Sequence, residues 1–202
     1  MVDSATHLVA PHLMAAPAQP RDADAELVAR AQAGDRAAMQ EIYRRHADAV
    51  FRRLTRLVGS GPDREDLLQQ VFVELFRGLH RFRGDARFGT YVYRIATNIA
   101  CDHLQQRRRR QGRFCSCDDP DRRAAAGASP ELATIHREQL ERAWSLLDRI
   151  KPKKRVAFLL RVVEGPSMEQ IAEQVGARPA TVAKRVMHAQ RELMAMMERG
   201  AR

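Results

Sequence analysis

The sequence predicts an all-α protein: two small helical bundles joined by a flexible linker, the second containing a helix-turn-helix. Two observations carry that expectation. Apolar residues recur at spacings of three, four and seven, with no strand-like alternation and no repeat of fixed period. The periodicity lapses over residues 111–134, where Gly, Pro, Asp and a run of alanines lie between two periodic blocks. The expected divisions are a flexible tail at 1–23, a first bundle at 24–110, the linker at 111–134 and a second bundle at 135–199.

Each element has its own signal. The tail is rich in Ala, Pro and His and lacks periodicity. Ala25 to Ala33 reads as a helix ending at Gly34. Asp35 is an N-cap candidate for a second helix carrying Met39, Ile42, Tyr43, Val50, Phe51, Leu54 and Val58, and Gly59-Ser60-Gly61-Pro62 stops it. Asp63 opens a third helix, striped by Leu67, Leu68, Val71, Phe72, Leu75, Phe76 and Leu79; Asp66, Gln69 and Gln70 lie largely outside that stripe. After the loop His80 to Arg87, Phe88 begins a long helix with Val92, Ile95 and Ile99 inward that runs out into Arg107-Arg108-Arg109-Arg110. Periodicity returns with Leu140, Ala143, Trp144, Leu147 and Ile150, then with Val156, Leu159, Leu160 and Val163, and Gly165-Pro166 breaks it.

Composition narrows the function. The 202 residues include 35 basic and 25 acidic side chains, a formal charge of +10, and only four of the basic ones are lysines. Arginine suits planar, bidentate recognition of phosphate and guanine, so the expected partner is an acidic polymer. No apolar run approaches the roughly 18 residues that cross a bilayer. Three cysteines do not make a secreted disulfide framework, and the N-terminal residues do not read as a signal peptide. The expected location is the cytoplasm, with no membrane insertion.

Two segments carry candidate chemistry. Ser167-Met168-Glu169-Gln170 fits a capping box. Ala172, Gly176 and Val182 supply the small contact, the turn and the pinning residue of a helix-turn-helix, and Pro179 suits the first turn of its second helix. That helix would expose Thr181, Lys184, Arg185, His188 and Arg191, the first three toward a major groove and the others toward phosphates. Upstream, Phe82, Phe88, Tyr91 and Tyr93 alternate with Arg81, Arg83, Arg87 and Arg94, and Asn98 follows one turn later. Aromatic faces beside guanidinium groups are what single-stranded bases stack on. Phe88 continues the apolar stripe and is expected in the core.

EDLLQQVFVELFRGLHRFRGDARFGTYVYRIATNIACDHLQQRRRR resembles region 2 of the extracytoplasmic-function sigma factors, small members of the bacterial sigma-70 family, and GPSMEQIAEQVGARPATVAKRVMHAQREL resembles their region 4. The order is right, and the likeness covers about residues 24–199. The resemblance implies a dissociable subunit of RNA polymerase that directs promoter-specific initiation. Region 2 would recognise and melt the −10 element through Arg81, Arg83, Arg87, Tyr91, Arg94 and Asn98. Region 4 would read the −35 element through Thr181, Lys184, Arg185, His188 and Arg191. Asp66, Gln69 and Gln70 match the helix that docks on the β′ clamp helices. The implied partners are core RNA polymerase, through β′ and β, promoter DNA and an anti-sigma factor. Tyr91 stands where the family usually has tryptophan, and Gln70 where it usually has glutamate.

No phosphate loop, paired nucleophile and base, or metal-binding His-Glu pattern is present, so no catalytic residue, metal or cofactor is expected. Cys115 and Cys117 fall in the linker, and Cys101 is expected to pack as a small apolar residue. Two other functions fit parts of the pattern: a helix-turn-helix regulator acting without core polymerase, and an RNA-binding structural protein.

Overall fold

The computed structural model describes residues 21–113 and 130–200, and these form helices and their connections without a strand. The order is α1 (Arg21–Gln32), α2 (Arg36–Val58), α3 (Arg64–Gly78), a 3₁₀ turn (Leu79–Arg81), α4 (Phe88–Arg113), α5 (Pro130–Arg149), α6 (Pro152–Leu159), a π segment (Leu160–Glu164), α7 (Met168–Val175) and α8 (Pro179–Gly200).

Local chemistry sets most boundaries as expected. The Asp35 carboxylate accepts from the Ala37 and Ala38 amides, a cap of about 1 kcal/mol in general. Arg30 donates to the same carboxylate and closes the α1–α2 turn. Gly59 ends α2 at φ +93, a conformation that favours glycine. Asp63 stands at the start of α3 but its side chain makes no cap bond there; the carboxylate lies 3.6 Å from His103 Nε2 instead.

The first bundle is α1–α4. Ile42, Val50, Leu54 and Leu57 of α2 are buried with Val71 and Leu75 of α3 and Val92, Ala96 and Ala100 of α4. The second is α5–α8, around Leu147, Ile150, Leu160, Ile171, Val182 and Ala189. The two bundles pack on each other: α6 and α7 lie against α4, and α6 also meets α2.

Four expectations need correcting. Helix α1 begins at Arg21, before Ala25. Helix α4 continues to Arg113 and α5 begins at Pro130, so both enter the stretch expected as linker; the rest of that stretch, with Cys115 and Cys117, lies outside the described residues, as does the tail up to residue 20. Leu140 and Ala143 are exposed. Among the residues whose burial is described, Trp144 and Leu147 in the last turns of α5, with Ile150 just after it, reach the bundle. Finally, the helix after α6 widens into a π segment that periodicity did not announce, and Gly165 closes it in the left-handed region at φ +71.

Two histidines carry a pH dependence. Burial pushes His46 below its ordinary value, with Asp24 opposing and Arg45 assisting. Burial also depresses His103; Asp63 opposes, and Arg107, Arg110 and Arg155 assist. A histidine held neutral in the native state stabilises above its unfolded value, near 6.5, and that stability is lost as pH falls through the depressed value. Thermal melts should therefore show a lower Tm at about pH 5.5 than at about pH 7.5, and His46→Phe should reduce the difference. An equal Tm at both pH values would contradict this reading.

Candidate nucleic-acid interface

The second bundle builds a helix-turn-helix from α7 and α8. The Ser167 hydroxyl accepts from the Gln170 amide, and the Gln170 side chain accepts from the Ser167 amide, completing the expected capping box. Gly176 makes the turn at φ +59, and its N–H donates to the Ala172 carbonyl. A side chain at that φ would be strained. Val182, Val186 and Ala189 anchor α8 on its inner side. Thr181, Lys184, His188 and Arg191 are exposed. Arg185 is half-buried, and it and Lys153 both act electrostatically on the Cys101 thiol of α4.

The first bundle presents the loop after α3 and one side of α4. Gln32 of α1 donates to the carbonyls of Leu79 and Phe82 and so ties down the start of this loop. Phe82, Phe88 and Tyr91 form an aromatic cluster, with centroids 5.5 Å apart for Phe82–Phe88 and 4.9 Å for Phe82–Tyr91. Phe88 is buried, as expected, while Phe82 and Tyr91 are half-buried. The Tyr91 hydroxyl donates to the Gly78 carbonyl at 3.4 Å, and the Arg94 guanidinium sits 5.3 Å from the Tyr91 ring centre. Arg81, Arg83, Arg87, Arg94 and Asn98 are exposed around this cluster. The arrangement offers one aromatic edge, several guanidinium groups and one amide to an unstacked base or a phosphate.

Helix α3 buries Leu67, Val71, Phe72 and Leu75 and exposes Asp66, Gln69 and Gln70. Val73 is exposed on the same helix, and Tyr43 of α2 is exposed with its ring 4.6 Å from that of Phe72. Beside them a shallow groove is lined by Glu41, Tyr43, Arg44, Asp48, Phe51 and Leu68. Hydrogen bonds from Arg44 and Arg45 hold the Glu41 carboxyl down at about 2, so it stays charged beside the apolar surface.

Three residues with clear structural roles were not singled out by the sequence: Gln32, Arg53 and Arg155; Tyr43, expected on the apolar stripe of α2, is exposed instead, as is Val73, which the sequence did not single out. Arg53 had a detectable signal, since it occupies a place in the α2 stripe beside Val50, Leu54 and Leu57. Cys101 is half-buried; Gln105 donates to its sulfur, and burial pushes the thiol up. Alkylation of Cys101 in the folded chain should be slow compared with the unfolded chain, read by mass spectrometry with and without denaturant; equal rates would refute its packing role. Among the described residues no group of three or more His, Cys, Asp or Glu side chains could hold a metal, and no helix is long and apolar enough to cross a membrane.

Comparison with known proteins agrees with this organisation. The sigma-70 region 2 family model matches residues 42–110, and the sigma-70 region 4 model matches residues 140–193. The ECF RNA polymerase sigma factor SigE of Mycolicibacterium smegmatis is 33% identical over 79% of this chain, which spans 63% of that protein's length. The RNA polymerase sigma-H factor of Pseudomonas aeruginosa is 30% identical, over 84% of this chain and 91% of the relative. The ECF RNA polymerase sigma-E factor of Escherichia coli K12 is 31% identical, over 82% and 90%. Among solved structures, CnrH in complex with the cytosolic domain of CnrY superposes with a TM-score of 0.58 at 25% identity, covering 88% of this chain and 98% of that one. With both family regions matched in order on an all-helical fold, and with full-length relatives at 30% identity or above, the chain belongs to the ECF sigma factors of the sigma-70 family.

Proposed function

We propose that this chain is a dissociable promoter-specificity subunit that carries core RNA polymerase to its promoters, with the first bundle opening the −10 element and the second reading the −35 element. One observation carries the reading. Each bundle supports its polar surface on a buried apolar one, and those surfaces differ in kind. The α8 surface is a straight helical face suited to a closed major groove. The α4 surface is an aromatic and arginine-rich corner suited to unstacked bases. In this division Arg81, Arg83, Arg87, Tyr91, Arg94 and Asn98 meet the −10 strand, and Thr181, Lys184, Arg185, His188 and Arg191 meet the −35 duplex. Asp66, Gln69 and Gln70, joined by Val73 and Tyr43, meet the β′ clamp helices, and region 4 meets β. The polymerase supplies the chemistry, and the chain works in the cytoplasm. The proposed domain limits remain 24–110 for region 2 and 135–199 for region 4. An anti-sigma factor is the proposed inhibitor; the structural relative solved with the cytosolic domain of CnrY supports a protein partner of this kind. The match to region 2 disfavours a regulator that acts without polymerase.

The test is transcription of fragmented genomic DNA by purified core polymerase, with and without the chain. New start sites that require the chain support the proposal, and an unchanged start-site profile overturns it. In a pull-down, Asp66→Lys or Gln69→Ala should weaken core binding by about tenfold, the weight of one charge-assisted contact, with helical content unchanged. Normal binding by both variants would remove the docking role from α3.

A further inference from the structure

We propose that His46 is a positioning residue for promoter opening: from inside the first bundle its ring seats Phe88, and through Phe88 it sets the corner of Phe82 and Tyr91 that receives unstacked bases. This rests on the functional reading above, because the corner it positions is the one assigned to the −10 strand.

A series of ring contacts runs from the core to the surface. His46 of α2 is 7% exposed. Its ring meets that of Phe88 edge-on, with centroids 5.4 Å apart and planes at 76°. Phe88, the first residue of α4, is buried as well, and its ring centre lies 5.5 Å from that of Phe82 and 6.5 Å from that of Tyr91. Tyr91 ends the series, half-buried beside the Arg94 guanidinium. Protein interiors are packed to the density of organic crystals, so a ring displaced at one end of such a series displaces the next.

Helix α1 braces this assembly from both of its ends. Near its last turn, Gln32 donates to the Leu79 and Phe82 carbonyls and fixes the backbone that carries the Phe82 ring. Near its start, Asp24 stands beside His46, with Oδ1 3.7 Å from the imidazole Nε2. Arg45 approaches the same oxygen at 3.8 Å.

The Asp24 end is left open. Asp24 Oδ1 and His46 Nε2 are both buried, and neither makes a hydrogen bond among the described residues. Buried polar atoms are nearly always paired, because an unmet one carries its full desolvation penalty. The gap exceeds a charge-assisted hydrogen bond by about 1 Å. A proton on Nε2 supplies the donor, and a ring that closes the gap withdraws from Phe88. The imidazole therefore has two seats, a neutral one against Phe88 and a charged one against Asp24. The charged groups that act on it are Asp24 of α1 and Arg45 of α2, while α4 brings the Phe88 ring. Burial is the largest influence and holds the imidazole below its ordinary value near 6.5, with Asp24 opposing and Arg45 assisting. The seat against Phe88 is thus the one occupied at neutral pH, and acid empties it.

The experiment measures opening by the full chain with core polymerase, as the ratio of transcripts from a matched template to those from one already mismatched across the −10 element, between about pH 5 and pH 8. In that ratio the pH dependence of the polymerase chemistry cancels. The parent ratio should fall as pH drops below about 6.5. His46→Leu removes the ring edge and should lower the ratio at every pH by roughly three- to tenfold, the weight of one aromatic pair, with core binding and helical content unchanged. His46→Phe keeps a ring on Phe88 without a proton, so it should recover most of the ratio and abolish the fall. Asp24→Asn removes the charge that favours the imidazolium and should move the fall to lower pH, a shift that plain loss of packing does not produce. These last two variants decide the matter if His46→Leu loses helix. In the free chain, NMR ring resonances of Phe88 and Tyr91 should titrate together with His46. A parent-like ratio in folded His46→Leu, an unmoved fall in both His46→Phe and Asp24→Asn, or a Phe88 ring that ignores the His46 titration would overturn the positioning role. A parent chain that opens no promoter with core would instead overturn the functional reading, while the ring resonances still report on the seat of Phe88.

Discussion

Asn98→Ala is expected to leave holoenzyme able to bind closed promoter duplex while losing most of its activity on ordinary promoters. Asn98 is exposed on α4, one turn beyond Arg94, and the residues behind it, Ile99 and Ala100, are buried. Its loss therefore removes a hydrogen-bonding amide without leaving a cavity. A base taken out of the stack costs a few kcal/mol, which the pocket must offset. One lost amide contact, at about 1–1.5 kcal/mol, should reduce opening by roughly tenfold. Activity should recover in part on a template already mismatched across the −10 element. Arg83→Ala and Arg87→Ala should behave similarly but with a stronger salt dependence, because part of their role is phosphate neutralisation. Transcription on matched and pre-melted templates checks this. If Asn98→Ala opens matched promoters as well as the parent, α4 is not the strand-reading element.

The second large effect belongs to α8. Lys184→Ala should lower affinity for promoter duplex, and the pattern of loss identifies the contact. A base-edge contact loses about 1–3 kcal/mol of discrimination at one position. A phosphate contact weakens all sequences alike and lowers the salt slope by about one. Arg185→Ala should show the same loss on DNA. In the free chain Arg185 is half-buried, and its loss should not unfold α8, which Val182 and Ala189 anchor. Binding titrations against a panel of single-position promoter variants, at two salt concentrations, separate these outcomes. If neither substitution changes promoter affinity or choice, recognition does not reside on α8.

Much of this architecture could be read from local chemistry. The Asp35 cap, the Ser167–Gln170 box, the Gly176 turn and Pro179 at the start of α8 each depend on residues within one or two turns. Their sequence signals are correspondingly direct. The inward face of α5 was misjudged at Leu140 and Ala143, because periodicity gives a stripe but not how far along it a partner extends. Residues that bridge distant elements were hidden for the same reason. Arg53 meets Glu164 across 111 residues, and Arg155 meets Leu57 across 98. Nothing near either arginine in the chain announces such a partner. The candidate site divides in the same way. Exposure of Asp66, Gln69 and Gln70 followed from a single helical stripe. The half-burial of Tyr91 depended on its packing against Phe82 from the preceding loop, and that of Arg185 on tertiary packing that its own helix does not announce; only the folded chain displays either.

The most direct test of the divided reading is permanganate and nuclease footprinting of one promoter found by start-site mapping, with the chain alone, core polymerase alone, and both together. The account predicts unpaired, permanganate-reactive thymines across the −10 element only when both are present. Nuclease protection should then appear over a second site centred about 25 base pairs upstream, roughly 85 Å along the duplex. Protection of the upstream site by the chain alone, at the same affinity and with no thymine reactivity on adding core, would contradict the account and point to a regulator that works without polymerase.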